Sequence, residues 1–432
     1  MFIKGLFHKI HYFNNKELIG TFFVTAGTLF GSFFSYLLQF FLARYLNVGE
    51  YGEFNALLSL AYIAGVPATV LSTAMIKKVS QLLSGNEWKK LSSLFVSSFY
   101  FSVLIGLVIF ASVYFFRGYI SQTLKIGNIF LIVIFGMWLG LSFLLTVPGA
   151  YLLGLLRYKA YALFVSISSM LRFVFPALLV VVGYGLIGTF YGLSLSVILA
   201  FIISLVLLKK NLTNVRNELN KMSPELNDVF KLIMPIVLVN LCMMLLNNID
   251  LVLVKRFFEA ETAGYYAGVV TLGKILLFGA GTITVVMFPK ISSVKNDTKK
   301  LIKSFGFFLS LQLMAVIAGV LVYLIFPRYI TLIFFGSKFM ESVKYLSLFS
   351  VFVGIYVIIN FLVMFMLAID QTRIYLLLLP GVIAQYVLIN MFHGSLEQVI
   401  YINIYILLLI AVILGLYSAV LFKRNFKSLE LS

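Results

Sequence analysis

The stretch "NNIDLVLVKRFF", residues 247–258, places an aspartate, Asp250, inside apolar sequence a few residues before a basic pair. An apolar run leads into it at 230–254, and a second run follows at 263–287 with a lone lysine, Lys274, near its middle. Each run is long enough to cross a hydrocarbon core about 30 Å thick as a helix. The stretch therefore predicts two membrane-spanning helices joined by a short turn, with a charged side chain inside each.

The whole chain has the composition of a membrane protein. Of its 432 residues, 62% are hydrophobic and 11% are charged, whereas globular chains carry about 25% charged residues. A lone cysteine, Cys242, rules out an internal disulfide, and the three histidines are too scattered to predict a metal site. We therefore expect a polytopic helical membrane protein that needs no cofactor.

Apolar runs of spanning length recur from end to end, and only helices or closed barrels satisfy their backbone groups in lipid. No polar segment is long enough to predict a soluble domain. The predicted fold is all-α, with twelve transmembrane helices at residues 18–43, 54–75, 91–115, 126–147, 160–182, 186–208, 230–254, 263–287, 303–326, 345–367, 374–390 and 399–422.

The basic residues are distributed unevenly between the two sides of the membrane. With the alternation that twelve spans impose, 23 of the 33 Lys and Arg residues lie on the side of the N-terminus and eight on the opposite side. Cytoplasmic loops carry such an excess, so both termini are expected in the cytoplasm and the chain in the cell's inner (plasma) membrane. The formal charge of +18 then reflects topology, and no nucleic-acid partner is expected.

Two segments six spans apart are related in sequence. Residues 44–80 align without gaps on residues 256–292, with eight identities that include Gly52 with Gly264. An even number of spans gives both copies the same orientation, so we predict two parallel six-helix halves related by an axis along the membrane normal. The predicted domains are a basic cytoplasmic N-terminal segment at 1–17, an N-terminal six-helix bundle at 18–208, a cytoplasmic linker at 209–229, a C-terminal six-helix bundle at 230–422 and a cytoplasmic tail at 423–432.

Polar side chains share one helix face in the first spans, and the repeat places counterparts in the seventh and eighth. In the first span they recur every three or four residues, at Thr21, Thr25, Thr28, Ser32, Ser35 and Gln39. The repeat offset relates Thr28 to Asn240, Ser35 to Asn247 and Tyr62 to Lys274. Small polar residues also serve helix packing. Stripes that occur in both halves and contain Asn, Asp and Lys nevertheless favour a shared, water-filled central cavity.

Three charged residues are placed inside spans: Arg172, within "SSMLRFVFPALL", Lys274 and Asp250. Each costs about 2.5–3.5 kcal/mol at mid-membrane on insertion scales. One carboxylate cannot balance two cations, so the interior is expected to be net positive and to suit an anion such as a phosphate. The alternative is a structural ion pair between Asp250 and Lys255 or Arg256, near one helix end.

These observations select a set of candidate substrate-binding residues. They are Arg172, Lys274, Asn240, Asn247, Asp250, Ser35, Gln39, Tyr62, Arg44 and Arg256. Lys274 and Arg172 are expected to hold an anionic cargo, and Asp250 to offset them and to take up a proton or Na⁺. Lys255 and Arg256 are expected to act mainly as anchors at the outer interface.

Helix breakers occupy equivalent positions in the second and eighth spans. Pro67 corresponds to Gly279 at the repeat offset, and Gly65 and Gly281 lie beside them. Breakers at matching points predict a pair of hinges for gating. The alternative is local packing of small residues.

Three stretches carry a family resemblance. They are "VGEYGEF" at 48–54, "GLLRYKAY" at 154–161 and "IDLVLVKRFFEAETAGYYAGVVTLG" at 249–273. Together with Arg172 in the fifth span, they resemble the polysaccharide-biosynthesis flippases. These are O-antigen- and capsule-type exporters of the multidrug/oligosaccharidyl-lipid/polysaccharide flippase superfamily.

The resemblance implies two six-helix bundles around a V-shaped cavity that opens alternately to each side. It implies an undecaprenyl-pyrophosphate-linked oligosaccharide as cargo, moved from the cytoplasmic to the outer leaflet. Membrane lipid and polysaccharide polymerase machinery are the partners that accompany such a cargo. The implied activity is transport and not enzymatic catalysis, driven by an H⁺ or Na⁺ gradient or by downstream consumption of the cargo.

Other classes fit the sequence less well. A multidrug and toxin extrusion-type antiporter would share the fold, but it moves cations, for which acidic residues should line the cavity. A peptidoglycan-precursor lipid flippase usually has fourteen spans. A major-facilitator transporter would show a Gly-x-x-x-Asp-Arg pattern where this chain has "IKKVSQLLSGNEWKK" (76–90). A membrane enzyme would gather polar catalytic groups at one face, and the sequence has no phosphate-binding loop for ATP.

Overall fold

The computed structural model describes residues 15–209, 225–295 and 297–430 of the chain. The predicted segment at 1–17 and the predicted linker at 209–229 therefore lie largely outside the described residues, as do the last two residues of the predicted tail. Within the described ranges all regular structure is helical, as the backbone of apolar spans requires in lipid.

Sixteen helices follow one another in these ranges. They are α1 (Asn15–Tyr45), α2 (Val48–Ala64), α3 (Val66–Ser84), α4 (Trp88–Phe115), α5 (Arg117–Thr123), α6 (Ile129–Ser142), α7 (Thr146–Gly154), α8 (Tyr158–Leu179), α9 (Gly185–Leu208), α10 (Glu225–Phe257), α11 (Ala260–Val294), α12 (Thr298–Ile325), α13 (Pro327–Phe335), α14 (Val343–Ala368), α15 (Tyr375–Met391) and α16 (Leu396–Glu430). Short helical turns lie between some of them, at Phe143–Leu145, Val180–Tyr184, Ser337–Ser342 and Thr372–Ile374.

Polar side chains cap several of these helices. The Asn47 side chain accepts the Glu50 backbone NH at 2.7 Å, and the Glu50 carboxylate accepts the Asn47 NH at 3.2 Å, which starts α2. Asp297 starts α12 by accepting the Lys300 NH at 3.1 Å. A hydrogen bond from the Lys300 side chain, together with that NH, holds the pKa of Asp297 below its ordinary value. Such caps satisfy backbone donors that have no partner inside the helix.

Ten helices in the described residues are long and apolar enough to cross a membrane, or eleven if the bent pair α2 and α3 is one span. The difference from twelve lies at Tyr158–Leu208, which is counted once. The helix breaks there at Gly183 and Gly185, whose φ angles of 102° and 51° favour glycine. The predicted boundary between the fifth and sixth spans, at 182–186, falls on this break. The count of twelve stays a prediction.

The chain divides into two compact units by its contacts. The first unit comprises Met1–Tyr45, Pro67–Gln122 and Ile126–Ile233, and the second unit comprises Leu46–Val66, Thr123–Lys125 and Met234–Ser432. Contacts therefore assign α2 to the second unit, although its sequence lies in the predicted N-terminal bundle, because α2 packs along α11. The predicted bundle boundaries themselves stay a prediction.

Glycines allow close helix packing within the first unit. α1 lies along α8, where a Cβ at Gly27 would meet the Ala162 backbone at 2.8 Å. α4 lies along α6, where a Cβ at Gly106 would meet the Gly140 carbonyl at 2.5 Å. Small residues at such crossings let transmembrane helices approach closely, which is a main source of their association in lipid.

In the second unit, helices pack around α14. α11, α12 and α16 all contact it, and its span, counted from Ser337 to Ala368, has the largest buried share of any span in the described ranges, at 67%. α11 thus lies between the core helix α14 on one side and α2 on the other. This position fixes the orientation of α11 and of the lysine it carries.

The repeat-related helices α2 and α11 pack side by side with equivalent residues facing each other. A Cβ at Gly52 would lie 2.9 Å from the Cα of Gly264, its own repeat equivalent. Further along, Lys274 Nζ lies 4.9 Å from the centre of the Tyr62 ring, and these residues are again equivalents. Ten residues span about 15 Å of helix, so equivalents meet at two heights. Parallel helices on either side of a two-fold axis along their length have this property, as the predicted direct repeat requires.

The second span is bent and the eighth is not. α2 ends at Ala64 and α3 begins at Val66, with their axes 44° apart, whereas α11 continues without a break from Ala260 to Val294. At the two predicted hinge positions, the second span is therefore broken next to Pro67, whereas the eighth span is an intact helix at Gly279.

A buried glutamine of α12 supports α11 near those glycines. Gln312 donates through Nε2 to the Ala280 carbonyl at 3.2 Å, and its Oε1 accepts the Thr284 hydroxyl at 3.3 Å. Gln312 is 0% exposed, so both bonds are shielded from competing water. They link α12 to α11 at the level of Gly279 and Gly281.

Candidate functional site

The lysine of the eighth span, Lys274, is held in place by two polar neighbours. Its Nζ donates to Asn248 Oδ1 on α10 at 3.0 Å and lies over the Tyr62 ring of α2. Asn248 is buried, and its Nδ2 donates to the Met244 carbonyl at 2.9 Å, which fixes the direction of its Oδ1. Within the described residues Asn248 is the one hydrogen-bond acceptor of Lys274, and an ammonium carries three donors. Donors therefore remain for a ligand.

The contact between α2 and α11 is closed at one end and open at the other. At the closed end, fully buried Tyr51 donates to Thr271 Oγ1 at 3.1 Å, and Asn55 is 5% exposed. At Tyr62 the exposed fraction rises to 43%, and Lys274 beside it is partly exposed. The polar groups therefore become accessible where the two helices stop packing tightly.

α11 keeps an open face beyond Lys274. A Cβ at Gly279 or Gly281 would meet nothing within 4 Å, and Phe278 and Val285 are 58% and 72% exposed. This part of α11 leads to the side of the membrane that the basic residues assign to the cytoplasm. Lys274 and Tyr62 thus lie where the exposed face of α11 begins, and this face leads toward the predicted cytoplasmic side.

Asp250 lies in a separate, fully buried polar network. The Tyr266 hydroxyl donates to Asp250 Oδ2 at 2.6 Å, and Asn403 Nδ2 approaches the same oxygen at 3.5 Å. Gln385 Nε2 in turn donates to Asn403 Oδ1 at 2.9 Å. Asp250 Oδ1 and Gln385 Oε1 have no hydrogen-bond partner among the described residues. Leaving buried acceptors unsatisfied is costly, and a proton or a small cation would satisfy them.

The ion pair predicted as an alternative for Asp250 does not form. Lys255 is fully buried and its Nζ lies 3.7 Å from Glu53 Oε1 of α2, so its carboxylate partner is Glu53. The expectation that Lys255 anchors the outer interface is therefore wrong, because its side chain is fully buried. Arg256 is partly exposed, and its guanidinium lies 5.2 Å from the Phe257 ring centre.

Asp250 and Lys274 do not bond to each other. Within the described residues, neither takes part in an ion pair within 4.0 Å. Lys274 uses Asn248 and Asp250 uses Tyr266. The two charges therefore have separate surroundings: Lys274 is partly exposed, and Asp250 is fully buried.

Four predicted site residues belong to the first unit. Ser35 donates to the Gly31 carbonyl at 3.0 Å, Gln39 is partly exposed, and Arg44 is exposed at the end of α1. Arg172 lies on α8 and is partly exposed. The structure thus brings Tyr62 and Lys274 together, whereas a shared role of Arg172 with Lys274 stays a prediction.

The predicted asparagines of the seventh span do not contact Lys274. Asn240 donates to the Ile236 carbonyl of its own helix at 2.9 Å, and Asn247 is partly exposed. The contact comes instead from Asn248, one residue later, which the polar-stripe argument passed over. A rotation of about 100° per residue separates two neighbours on a helix, and the sequence does not show which of them faces α11.

Two further polar residues of the Asp250 network were missed. Gln385 and Asn403 stand nearly alone in the apolar sequences of α15 and α16, and both are 1% exposed. A polar residue inside a span is costly unless it has a partner. Their isolation in apolar sequence was therefore the signal that could have placed them in a buried polar cluster.

One family model matches most of the chain. It describes the family as polysaccharide biosynthesis protein, and it covers residues 41–344. The matched range extends from the end of α1 to the start of α14 and includes Tyr62, Asn248, Asp250 and Lys274. No curated protein is significantly similar in sequence.

Solved structures of one superfamily align with the chain over nearly its whole length. An inward-facing multidrug resistance MATE family transporter of the MOP superfamily has a TM-score of 0.76 at 12% identity, covering 91% of this chain and 95% of that one. The lipid II flippase MurJ, in an inward closed conformation, has a TM-score of 0.70 at 18% identity, covering 92% of this chain and 87% of that one. A third structure is a MOP superfamily transporter from Pyrococcus furiosus, whose binding pocket is described as of reverse polarity. It has a TM-score of 0.64 at 15% identity, covering 94% of each chain. The predicted all-α polytopic fold of this superfamily is confirmed.

Proposed function

Because the chain belongs to the polysaccharide biosynthesis protein family, we propose that this multi-pass membrane protein is a flippase for a lipid-linked oligosaccharide. The cargo is an undecaprenyl-pyrophosphate-linked repeat unit of the O-antigen or capsule type. It moves from the cytoplasmic to the outer leaflet of the inner membrane by alternating access, and a polysaccharide polymerase uses it there. The observation that carries the proposal is Lys274, a partly exposed ammonium inside a membrane helix.

A cation in this position favours an anionic cargo. Its insertion costs about 2.5–3.5 kcal/mol, and within the described residues no carboxylate pairs with it. Phosphate oxygens accept charge-assisted hydrogen bonds that contribute roughly 1.5–3 kcal/mol each. A pyrophosphate bound to Lys274 would therefore offset the insertion cost of this lysine. Arg172 of the first unit is our second candidate for pyrophosphate binding.

The remaining candidates are assigned to weaker contacts with the cargo. They offer amide, hydroxyl and guanidinium groups of the kind that bind sugars and phosphates. They are Asn240, Asn247, Ser35, Gln39, Arg44 and Arg256.

The network around Asp250 supports ion coupling. Asp250 Oδ1 and Gln385 Oε1 are buried acceptors without donors, and H⁺ or Na⁺ bound to the carboxylate would satisfy Asp250. Asn403 and Tyr266 complete the surroundings with one amide and one hydroxyl. We assign to Asp250 the binding of the coupling ion, a role that leaves cargo binding to Lys274.

Two other transport functions share the fold. A multidrug and toxin extrusion-type antiporter needs an accessible acid for its cationic substrates, but Asp250 is fully buried, and the partly exposed charge on the next helix, Lys274, is a cation. A peptidoglycan-precursor flippase also carries a lipid pyrophosphate, so Lys274 would suit it equally well. At Lys274 the two cargoes are alike, and they differ in the group attached to the pyrophosphate.

Binding to purified protein tests the proposal. Lys274→Ala should weaken binding of a polyprenyl-pyrophosphate oligosaccharide about tenfold or more, and Lys274→Arg, which keeps the charge, should weaken it less. Lys290→Ala is the matched control, because Lys290 is exposed on the same helix. Arg172→Ala should behave like Lys274→Ala. Cargo binding that neither cation-to-alanine change affects would remove the anion site.

A second measurement tests the coupling site. Asp250→Asn should leave cargo affinity unchanged but should alter the rate of transport or its dependence on pH and Na⁺, because the carboxylate is lost from the buried network. Asp370→Asn serves as the control, since Asp370 is exposed and its positive φ of 63° suits Asn. Unchanged ion dependence in Asp250→Asn would reject the assignment.

Thiol labelling in intact cells tests the orientation. With Cys242 replaced, single cysteines at Ser84 and Ser337 occupy exposed positions on opposite predicted sides of the membrane. An impermeant reagent should label position 337 and spare position 84, because the loop of Ser84 carries the cytoplasmic excess of lysines. Labelling at 84 would reverse the topology.

A further inference from the structure

Tyr62 is an exposed aromatic ring at the entrance to a polar site. It lies on α2 two residues before the end of that helix, and it is 43% exposed. The neighbours of Tyr62 on the same helix face, Asn55 and Ser59, are 5% and 1% exposed. Tyr62 is therefore the side chain of this face that is accessible to a ligand.

The buried side chain of Asn248 fixes the position of Lys274 relative to Tyr62. Asn248 is 1% exposed, and its bonds to Lys274 and to the Met244 carbonyl hold the ammonium 4.9 Å from the centre of the Tyr62 ring. The cation–π contact adds to the stability of this arrangement. One charged group and one aromatic group are thus presented side by side with little freedom to separate.

We propose that Tyr62 and Lys274 together form a sugar-phosphate subsite, in which Lys274 binds the pyrophosphate of the cargo and Tyr62 binds its first sugar. The inference rests on the proposed function and deepens it, because it assigns a place to the sugar. In a lipid-linked oligosaccharide the first sugar is bonded directly to the second phosphate. A phosphate held by Lys274 therefore brings that sugar to the Tyr62 ring.

The chemistry of the ring suits this partner. The face of an aromatic ring is negative, and one face of a pyranose presents C–H hydrogens that carry a small positive charge. The Tyr62 hydroxyl can donate to and accept from sugar hydroxyls. Lys274 alone would accept any lipid phosphate, so Tyr62 is the residue of the pair that distinguishes a glycosylated cargo from a bare one.

Two cargoes that differ only in the sugar test the subsite. The probes are a polyprenyl pyrophosphate that carries one sugar and the same lipid pyrophosphate without sugar. Tyr62→Leu should weaken binding of the glycosylated probe about tenfold and change binding of the bare probe less than twofold. Tyr62→Phe should lose only part of the preference, because it keeps the ring. Tyr386→Leu is the matched control, since Tyr386 is similarly exposed at 45% on α15.

The outcomes separate the inference from the function on which it rests. An equal loss for both probes in Tyr62→Leu would show that Tyr62 only positions Lys274, and no loss for either would show that it has no part in binding. Both results overturn the subsite. If Lys274→Ala binds both probes like the parent, the proposed anion site fails instead.

A second variant covers the case in which Tyr62→Leu does not fold. Tyr62→Trp keeps an aromatic face, and its fluorescence, measured against the parent background of two tryptophans, reports contact with the ring. Its emission should shift when the glycosylated probe binds and stay constant with the bare probe. The same shift with both probes would contradict a sugar contact.

Discussion

The second and eighth spans are two copies of one segment, yet they differ in shape. The second is divided into α2 and α3 by a bend of 44°, whereas the eighth is the continuous α11 of 35 residues. The two contact units also part between Val66 and Pro67. One copy therefore joins the units through a break, and the other lies entirely inside the second unit.

The local sequence explains the difference. A proline lacks the backbone NH that a continuous helix would use, and its ring clashes with the carbonyl four residues earlier. At Pro67 that carbonyl belongs to Ile63, and α2 ends just after it, where the Gly65 NH donates to the Ala61 carbonyl at 2.8 Å. The eighth span has Gly279 in place of Pro67, which keeps its NH, and Gln312 supports the helix through the Ala280 carbonyl.

The comparison shows where rigidity is needed. Lys274 lies on the unbroken copy, between the core of the second unit and α2, so its position does not depend on the bend. Tyr62 lies on the other copy, two residues before the end of α2. A change of the bend would therefore move α3 while Tyr62 and Lys274 stay together, because α2 is fixed to α11.

The largest effect is expected where the copies touch. Gly264→Ala would place a Cβ against the Val48 carbonyl, and overpacking of this kind costs about 1–3 kcal/mol. Thermal unfolding of the purified protein should show a clear loss of stability. Gly281→Ala is the control, because a Cβ there would meet nothing within 4 Å. Equal stability of the two variants would contradict the close packing of α2 on α11.

The next effect concerns the break itself. Pro67→Ala restores an NH and should favour a straighter second span, so transport in proteoliposomes should slow several-fold while cargo affinity stays the same. Pro176→Ala provides a comparison at a proline inside α8, a helix that belongs wholly to the first unit. Normal transport by Pro67→Ala would show that the bend is a packing feature and not a hinge.

The equivalent change in the eighth span sharpens the contrast. Gly279→Ala together with Gly281→Ala should slow transport, but less than Pro67→Ala, because α11 is already continuous and only its flexibility falls. Expression and cargo binding should be retained, since both positions are open. A parent-like rate of transport in the double variant would confine the hinge to the second span.

The smallest effect is expected at the support of α11. Gln312→Leu removes the bonds to the Ala280 carbonyl and the Thr284 hydroxyl, and side-chain hydrogen bonds between membrane helices contribute about 0.6 kcal/mol on average. The unfolding temperature should fall slightly, and hydrogen exchange at residues 279–284 should rise. If exchange in this segment does not change, Gln312 does not stiffen α11.

Much of the fold could be predicted from sequence because membrane helices are specified by local apolar length. The direct repeat even identified Tyr62 and Lys274 as equivalents, and equivalents meet when parallel helices lie beside a two-fold axis. Contacts between residues far apart in the sequence could not be predicted in this way. The burial of Lys255 depends on Glu53, some two hundred residues earlier, and no local pattern relates them.

The candidate site was predicted less completely than the fold. The polar stripe selected Asn247 where Asn248 makes the contact, because helix rotation is not fixed by sequence spacing alone. The assignment of α2 to the second unit also depends on packing, since the chain order places it in the first half. Charge inside a span was the more reliable signal: it pointed to Lys274 and Asp250, and both have specific polar surroundings in the structure.

Transport by the reconstituted protein tests the central claim most directly. Proteoliposomes would carry a polyprenyl-pyrophosphate oligosaccharide, and an impermeant glycosidase would measure its passage between leaflets for the parent, Lys274→Ala and Lys290→Ala. We predict transport by the parent and by Lys290→Ala. For Lys274→Ala at limiting cargo we predict a rate reduced about tenfold or more. Transport by Lys274→Ala at the parent rate would contradict the account, as would a parent that moves organic cations but no lipid-linked oligosaccharide.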